Sequence, residues 1–115
     1  MKTGTDAWTE RDLLAQIRIV ARNAGWLEYH TFNSMRSTAG FPDLVLIRAP
    51  RLIFAELKSN KRESNLSPAQ EIWKAEIEKL PFTEYYNWRP SDYDAACAVL
   101  WADASVRLSV RKARE

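Results

Sequence analysis

Asp43, Glu56 and Lys58 are the residues whose types and spacing could do chemistry. They lie in GFPDLVLIRAPRLIFAELK, residues 40–58. Two apolar arms, residues 43–48 and 51–57, flank Ala49-Pro50 and read as a β-hairpin. Pairing outward from that turn sets 48 against 51, 47 against 52, and finally Asp43 against Glu56. Side chains alternate along a strand, so Asp43, Glu56 and Lys58 share one face. The two acidic Cβ atoms then stand about 5 Å apart, and opposed like charges destabilise a sheet. A hard divalent cation between them removes the conflict, since Mg²⁺ takes oxygen ligands and keeps several waters. Such an ion can hold a phosphate, polarise it and lower the pKa of a bound water. Lys58 could orient or deprotonate that water, or stabilise charge on phosphorus. The plainer alternative is a surface cluster in which Lys58 bridges the two acids. The register itself depends on the turn. Ala49-Pro50 is not among the favoured two-residue hairpin turns, so a longer loop would keep the pairing and a bulge would shift it.

The elements that must position these groups are legible in order. Thr9-Glu10-Arg11-Asp12 resembles a capping box, with Asp in place of Glu, and Trp8 with Leu13 could form its hydrophobic staple. Leu13, Leu14, Ile17, Val20, Ala21 and Ala24 recur at helical spacing, and Gly25 stops the helix. LEYHTF, residues 27–32, reads as a first strand, followed by the loop NSMRSTAGFP, the hairpin and a polar basic loop, SNKRESN. Ser67-Pro68-Ala69-Gln70 starts a second helix, with Pro at the first position and Gln at the third. Ile72, Trp73, Ile77 and Leu80 supply its apolar face, and Pro81 ends it. TEYYNW, residues 83–88, is a fourth strand. Ser91 with Asp94 caps a third helix over roughly 92–102, and residues 105–110 are either a short strand or an extension. A helix linking a strand pair to a later strand makes a crossover, so the pattern predicts an α/β sheet with helices on its faces.

Composition bounds the possibilities. A chain of 115 residues, 46% apolar, fits one domain with a real core. No apolar run approaches the roughly 18 residues of a membrane span, and the polar start MKTGTDAWTERD lacks a secretory stretch. A cytoplasmic protein is expected. The chain has one Cys and one His, which excludes an internal disulfide and a Cys/His metal site. Cys97, in DAACAVLW, reads as a small core residue. Trp73, Trp88 and Trp101 read as core, with Trp8 and Trp26 left open. Net charge is only +2, but basic residues gather. Lys58, Lys61 and Arg62 follow the hairpin, Arg107, Arg111, Lys112 and Arg114 crowd the C-terminus, and Arg36, Arg48 and Arg51 add to them. Such patches suit a polyanion, and equally a solvated surface.

Pro42-Asp43 with Glu56-x-Lys58 resembles the PD-(D/E)XK nuclease signature. The order GFPDLVL, FAELK, LSPAQEIW and YYNWRPSDYD is similar to the VRR-NUC branch of that superfamily, over roughly residues 8–102. The resemblance implies one nuclease domain over residues 1–115 with a restriction-endonuclease-like αβββαβ core, a mixed central sheet flanked by helices. It implies a Mg²⁺- or Mn²⁺-dependent endonuclease hydrolysing DNA phosphodiesters, with no organic cofactor. Small members resemble Holliday-junction resolvases, acting on branched DNA in repair and recombination as homodimers. A bacterial or phage-infected host cytoplasm would suit such a protein.

The family roles fall on particular residues. Asp43 and Glu56 would ligate the metal, Leu57 would offer its carbonyl, and Lys58 would activate water. An acid in the first helix approaches the metal, directly or through water. Glu10 is the match and Asp12 the competitor, Asp12 having the capping task. Gln70 would support the lysine or a phosphate, although its position also suits a cap. Lys61, Arg62 and Arg36 would contact the DNA backbone. His30 would stand at the site edge or in solvent. Gly40 would allow a tight approach before Asp43. The alternatives are a less selective or restriction-type endonuclease, a non-catalytic DNA-binding module on the same fold, and a protein-interaction domain with surface acids.

Overall fold

The computed structural model describes residues 4–31 and 37–103. Arg36, the C-terminal basic cluster and the 105–110 segment lie outside the described residues. After a 3₁₀ turn at Gly4–Ala7 come α1 (Glu10–Asn23), β1 (Leu27–His30), β2 (Leu44–Arg48), β3 (Arg51–Leu57), α2 (Pro68–Glu78) and β4 (Thr83–Trp88). A second 3₁₀ turn, Pro90–Asp92, leads into α3 (Tyr93–Trp101). The four strands form one mixed sheet in the order β1-β2-β3-β4. β1, β2 and β3 run antiparallel, and α2 crosses over so that β4 lies parallel to β3. Over the described residues the architecture is therefore α/β, with a four-stranded mixed sheet and three α-helices. Among the described residues, no helix is long and apolar enough to cross a membrane.

Local chemistry sets the helix bounds. Thr9 caps α1 by accepting from the Asp12 N–H while the Asp12 carboxylate accepts from the Thr9 N–H, a reciprocal capping box. Gly25, at φ 88°, lets the chain leave the helix in a left-handed conformation. Ser67 and Gln70 form the matching box at the start of α2, with Pro68 at its first position. Sequence and structure part company at α3. Ser91 does not cap it, because it lies inside the 3₁₀ turn Pro90–Asp92, which puts Asp92 at the cap position, with no side-chain cap bond.

One face of the sheet carries the main core. Leu13, Ile17 and Ala21 of α1 and Ala96 and Leu100 of α3 pack against Leu44, Leu46, Ile53, Ala55, Leu57 and Trp88. On the opposite face α2 packs through aromatic edges, with Phe41 at 5.1 Å from Trp73 and 6.4 Å from Phe54. This second layer is thinner than the sequence implies. Ile72 and Leu80 were expected on the buried face of α2 but are exposed, and Ile77 alone in that helix is buried. Trp101, expected in the core, is also exposed, and Cys97 is only half-buried.

Arg48 and Arg51 overturn the expectation that they extend a polyanion-binding patch. They face each other across β2 and β3, and both guanidinium groups stack on Trp26, at 4.7 and 4.8 Å. Arg48 donates to the carbonyls of Ala24, Leu100 and Ala102. Arg51 donates to those of Val99 and Ala102. Two cations thus satisfy carbonyls that the ends of α1 and α3 leave unpaired. Arg51 is fully buried and forms a bidentate pair with Glu84, both bonds 2.8 Å long. A lone buried charge is far costlier than a paired one. Glu84→Leu should therefore lower unfolding free energy by about 3 kcal/mol or more in urea titration. Adding Arg51→Met should restore only part of it, since the Val99 and Ala102 carbonyls then lose the bonds that Arg51 gives them, and Ala102 keeps only Arg48.

Candidate metal centre

The hairpin keeps the register that counting from the turn predicts. Arg48 pairs with Arg51 and Leu44 with Ala55, so the next positions out are Asp43 and Glu56. The connection is two residues long, with a cis Ala49–Pro50 bond, and neither a longer loop nor a bulge intervenes. At Asp43 the ladder ends in a side chain: the Leu57 N–H donates to Asp43 Oδ2 at 2.8 Å. In a strand the N–H and C=O of one residue point to the same edge, so the Leu57 carbonyl also faces the Asp43 side.

The approach to Asp43 is held on both flanks. Thr31, just past β1, donates its N–H to the Asp43 carbonyl at 2.9 Å and its hydroxyl to the Pro42 carbonyl at 2.8 Å. Gly40, at φ 86°, lies against the first turn of α2, where a Cβ would collide with the Ala69 backbone. Trp73 Nε1 donates to the Ala39 carbonyl at 3.1 Å, fixing the same loop. The close approach expected of Gly40 is thus an approach to a helix backbone. On the other side of the site, the Lys58 N–H donates to the Trp88 carbonyl at 2.9 Å, continuing the β3–β4 pairing.

Glu56 is 1% exposed, and its Oε2 has no hydrogen-bond partner. Burial first, then the hydrogen bond and charge of Asp43, pushes its carboxyl up to about 9. Burial and the Asp43 charge also raise Glu10, against the pull of Lys58. Glu10, Asp43, Glu56 and Lys58 thus lie within one another's electrostatic reach. No ion pair among the described residues joins Lys58 to either acid. Together with the burial of Glu56, this removes the salt-bridged surface cluster as an account of the motif.

Glu10, Arg11, Leu14, His30, Asp43 and Leu57 line one cavity of about 330 Å³. The structure therefore brings Glu10 to the site, whereas Asp12 is spent on the helix cap. It brings His30 there too, to the edge that β1 contributes. It does not bring the Gln70 amide oxygen, which accepts from the Ser67 N–H at 2.8 Å. Gln70 is in its capping role through Oε1, and its side-chain NH₂ takes no part in the cap. Lys61 and Arg62 are exposed on the loop after β3.

Three contributors escaped the sequence reading. Asn87 pairs with Glu56 across β3 and β4, and its buried Oδ1 lacks a partner. Tyr85, two residues before it, has a buried unpartnered hydroxyl whose pKa burial and the nearby Glu56 raise. Only the parallel register of TEYYNW on β3, which no local pattern encodes, would have revealed them. Arg89 donates to the carbonyls of Ser59, Lys61 and Ser64, tying down the loop that follows Lys58.

The donor set fits a hard cation. The orphaned Glu56 oxygen and the opposed Asp43 carboxylate supply two oxygen ligands, and the Leu57 carbonyl is oriented to supply a third. Among the described residues, no three His, Cys, Asp or Glu side chains converge to hold a metal by themselves. Mg²⁺ commonly makes do with one or two carboxylates, waters and substrate phosphate, which leaves Glu10 a role through water. Comparison with protein-family models, with curated proteins and with solved structures gives no match.

The raised Glu56 has a direct consequence for stability. Its folded value lies above the ordinary 4.5, so the fold prefers the protonated group. That contribution is full below about 4.5 and is lost as pH rises toward about 9. In EDTA, Glu56→Gln should flatten this fall and raise the melting temperature at pH 8. If the pair holds a divalent ion, added Mg²⁺ should narrow that gap, because only the wild type would gain stability from it. Gly40→Ala should cost roughly 2 kcal/mol through strain at positive φ alone, before any repacking against α2.

Proposed function

We propose that the chain is a Mg²⁺- or Mn²⁺-dependent endonuclease of the PD-(D/E)XK type, close to the VRR-NUC branch, that hydrolyses DNA phosphodiesters. The observation that carries the reading is the buried, half-unpartnered Glu56 carboxyl opposed to Asp43 at the open end of a β-hairpin. Such a pair is costly in a purely structural role and well matched to a divalent ion. The strand order, with α1 and α3 on one face and α2 on the other, is compatible with a restriction-endonuclease-like core.

Each residue then has a task. Asp43, Glu56 and the Leu57 carbonyl would hold the ion, which when bound neutralises the scissile phosphate and acidifies water. Lys58, beside the acids but not paired with them, is free to take a proton or steady charge on phosphorus. Glu10 would hold a water in the outer sphere, and Arg11 and His30 stand at the rim. Lys61 and Arg62 would meet phosphates without reading sequence. The preferred substrate is branched DNA, and two sites in a homodimer would face its two strands. Leu27, Tyr29 and Ile47, exposed on the α2-side face of β1 and β2, offer apolar surface for that contact. On the third helix, Trp101 is exposed as well.

The test is cleavage of a labelled four-way junction beside a linear duplex of the same sequence, with Mg²⁺ or EDTA. Wild type should cut only with metal and should prefer the junction. Asp43→Ala and Glu56→Ala should each lose at least about a hundredfold in rate. Lys58→Ala should lose rate with little change in the Mg²⁺ concentration at half-maximal activity. Equal cutting of both DNAs would leave a less selective endonuclease. Binding without cutting in every lane would leave a DNA-binding module on this fold. Full activity in either acid variant would remove the metal centre.

A further inference from the structure

A second cavity, of about 440 Å³, adjoins the first and shares Glu10 with it. Trp8 and Asp6 line one side, and Ser59, Asn60 and Lys61 the other. It lies between the N-terminal turn and the loop after β3, next to the proposed metal centre. Its walls are fixed. Arg89 grips the loop carbonyls, Asn60 Oδ1 accepts from the Ser91 N–H at 3.1 Å, and Trp8 packs edge-on against Tyr93 at 4.9 Å. Of its lining, the proposed cleavage uses only Glu10 and Lys61.

Its chemistry selects an occupant. Asp6 and Glu10 outnumber Lys61, so a phosphate is a poor fit. A neutral planar group with N–H donors is a good one. Trp8 supplies an aromatic surface, Asn60 keeps its amide N–H₂ as a donor, and the Asp6 carboxylate can accept from an exocyclic amine. The volume lies in the range that takes one nucleoside-sized ligand. Lys61, exposed in its wall, matches the phosphate such a base carries. Resting on the nuclease reading, we infer that this cavity takes one unpaired nucleobase beside the scissile phosphate, so that the enzyme recognises DNA with an unstacked nucleotide at a branch or flap.

Stacking on an aromatic ring is sequence-tolerant and strong enough to show in binding. A fully paired duplex would have to give up a base pair to fill the cavity. A branch point already offers a loosened base, which would make the cavity the source of the structural preference.

The experiment measures the affinity of the full chain for a flapped duplex by fluorescence anisotropy, with Ca²⁺ in place of Mg²⁺ to hold the complex uncut. Two DNAs differ only in having a base or an abasic sugar at the unpaired position next to the branch. Wild type should bind the abasic DNA about tenfold more weakly. In Trp8→Ala that difference should vanish. Asn60→Asp keeps the acceptor for Ser91 but loses the amide donor, so it should shrink the difference even if Trp8→Ala fails to fold. Its added charge weakens both DNAs alike and leaves the ratio to report on the cavity. Equal affinity of wild type for the two DNAs overturns the inference. If Mg²⁺-dependent, Glu56-dependent cutting persists in that case, the nuclease reading stands without the pocket. Neither binding nor cutting removes both.

Discussion

The hydrogen bond from the Leu57 N–H to the Asp43 carboxylate is the constraint around which this structure is arranged. It replaces the main-chain partner that β3 would otherwise find and so ends the β2–β3 ladder. In doing so it fixes an acid beside a second, buried acid. The surrounding contacts make this arrangement persistent. Thr31 holds the Pro42 and Asp43 backbone from β1, and Gly40 seats the preceding loop directly on α2. The Lys58 N–H anchors the following residue on β4. Each of these contacts lies on a different element, so the site is defined only when the whole sheet and both helix layers are assembled.

That assembly works against local electrostatics. Glu56 would be an ordinary exposed carboxylate on an edge strand, but β4 closes over β3 and removes it from water. The molecule accommodates the resulting cost with a large apolar core on one face and a fully paired ion bridge, Arg51 with Glu84, two turns of the pleat away. The contrast between the two acids is informative. Glu84 accepts both bonds of a guanidinium and satisfies α3 through it, as a structural carboxylate should. Glu56 is equally buried and has an oxygen with no partner. Local rules are commonly broken where function is built, and here the breach lies at one end of β3 while its opposite end obeys every rule.

The sequence made the elements legible because their signals are short-range. The capping boxes at Thr9 and Ser67, the stop at Gly25 and the alternation in the hairpin arms all act within a few residues, and the register from 48–51 out to 43–56 followed by counting. The arginines show where this fails. Arg48 and Arg51 look like surface charge in the sequence, and only the convergence of two helix ends on Trp26 makes them internal. Gln70 satisfied two patterns at once, and the cap, being local, takes its side chain. Asn87 and Tyr85 take their importance from a parallel pairing across α2, and Arg89 from carbonyls of a loop some 25 residues earlier, which no local pattern encodes. Exposed Ile72 and Leu80 show the converse, since apolar spacing marks a helix face without stating that anything covers it.

The spareness of the donor set bears on mechanism. With two carboxylates and one carbonyl within reach, and among the described residues no third acidic side chain converging on them, an ion at this site would keep open positions. On the nuclease reading those positions belong to water and to a phosphate oxygen. Metal and DNA would then complete each other's sites, and each would raise the affinity of the other by the same factor. Weak metal binding by the free protein would follow, along with a repulsive, partly protonated acid pair until substrate arrives. The raised Glu56 is consistent with such a resting state, in which a proton stands where the ion would. Exchange of that proton for a cation on a phosphate-bearing substrate would couple the chemistry to the presence of DNA, without any moving lid.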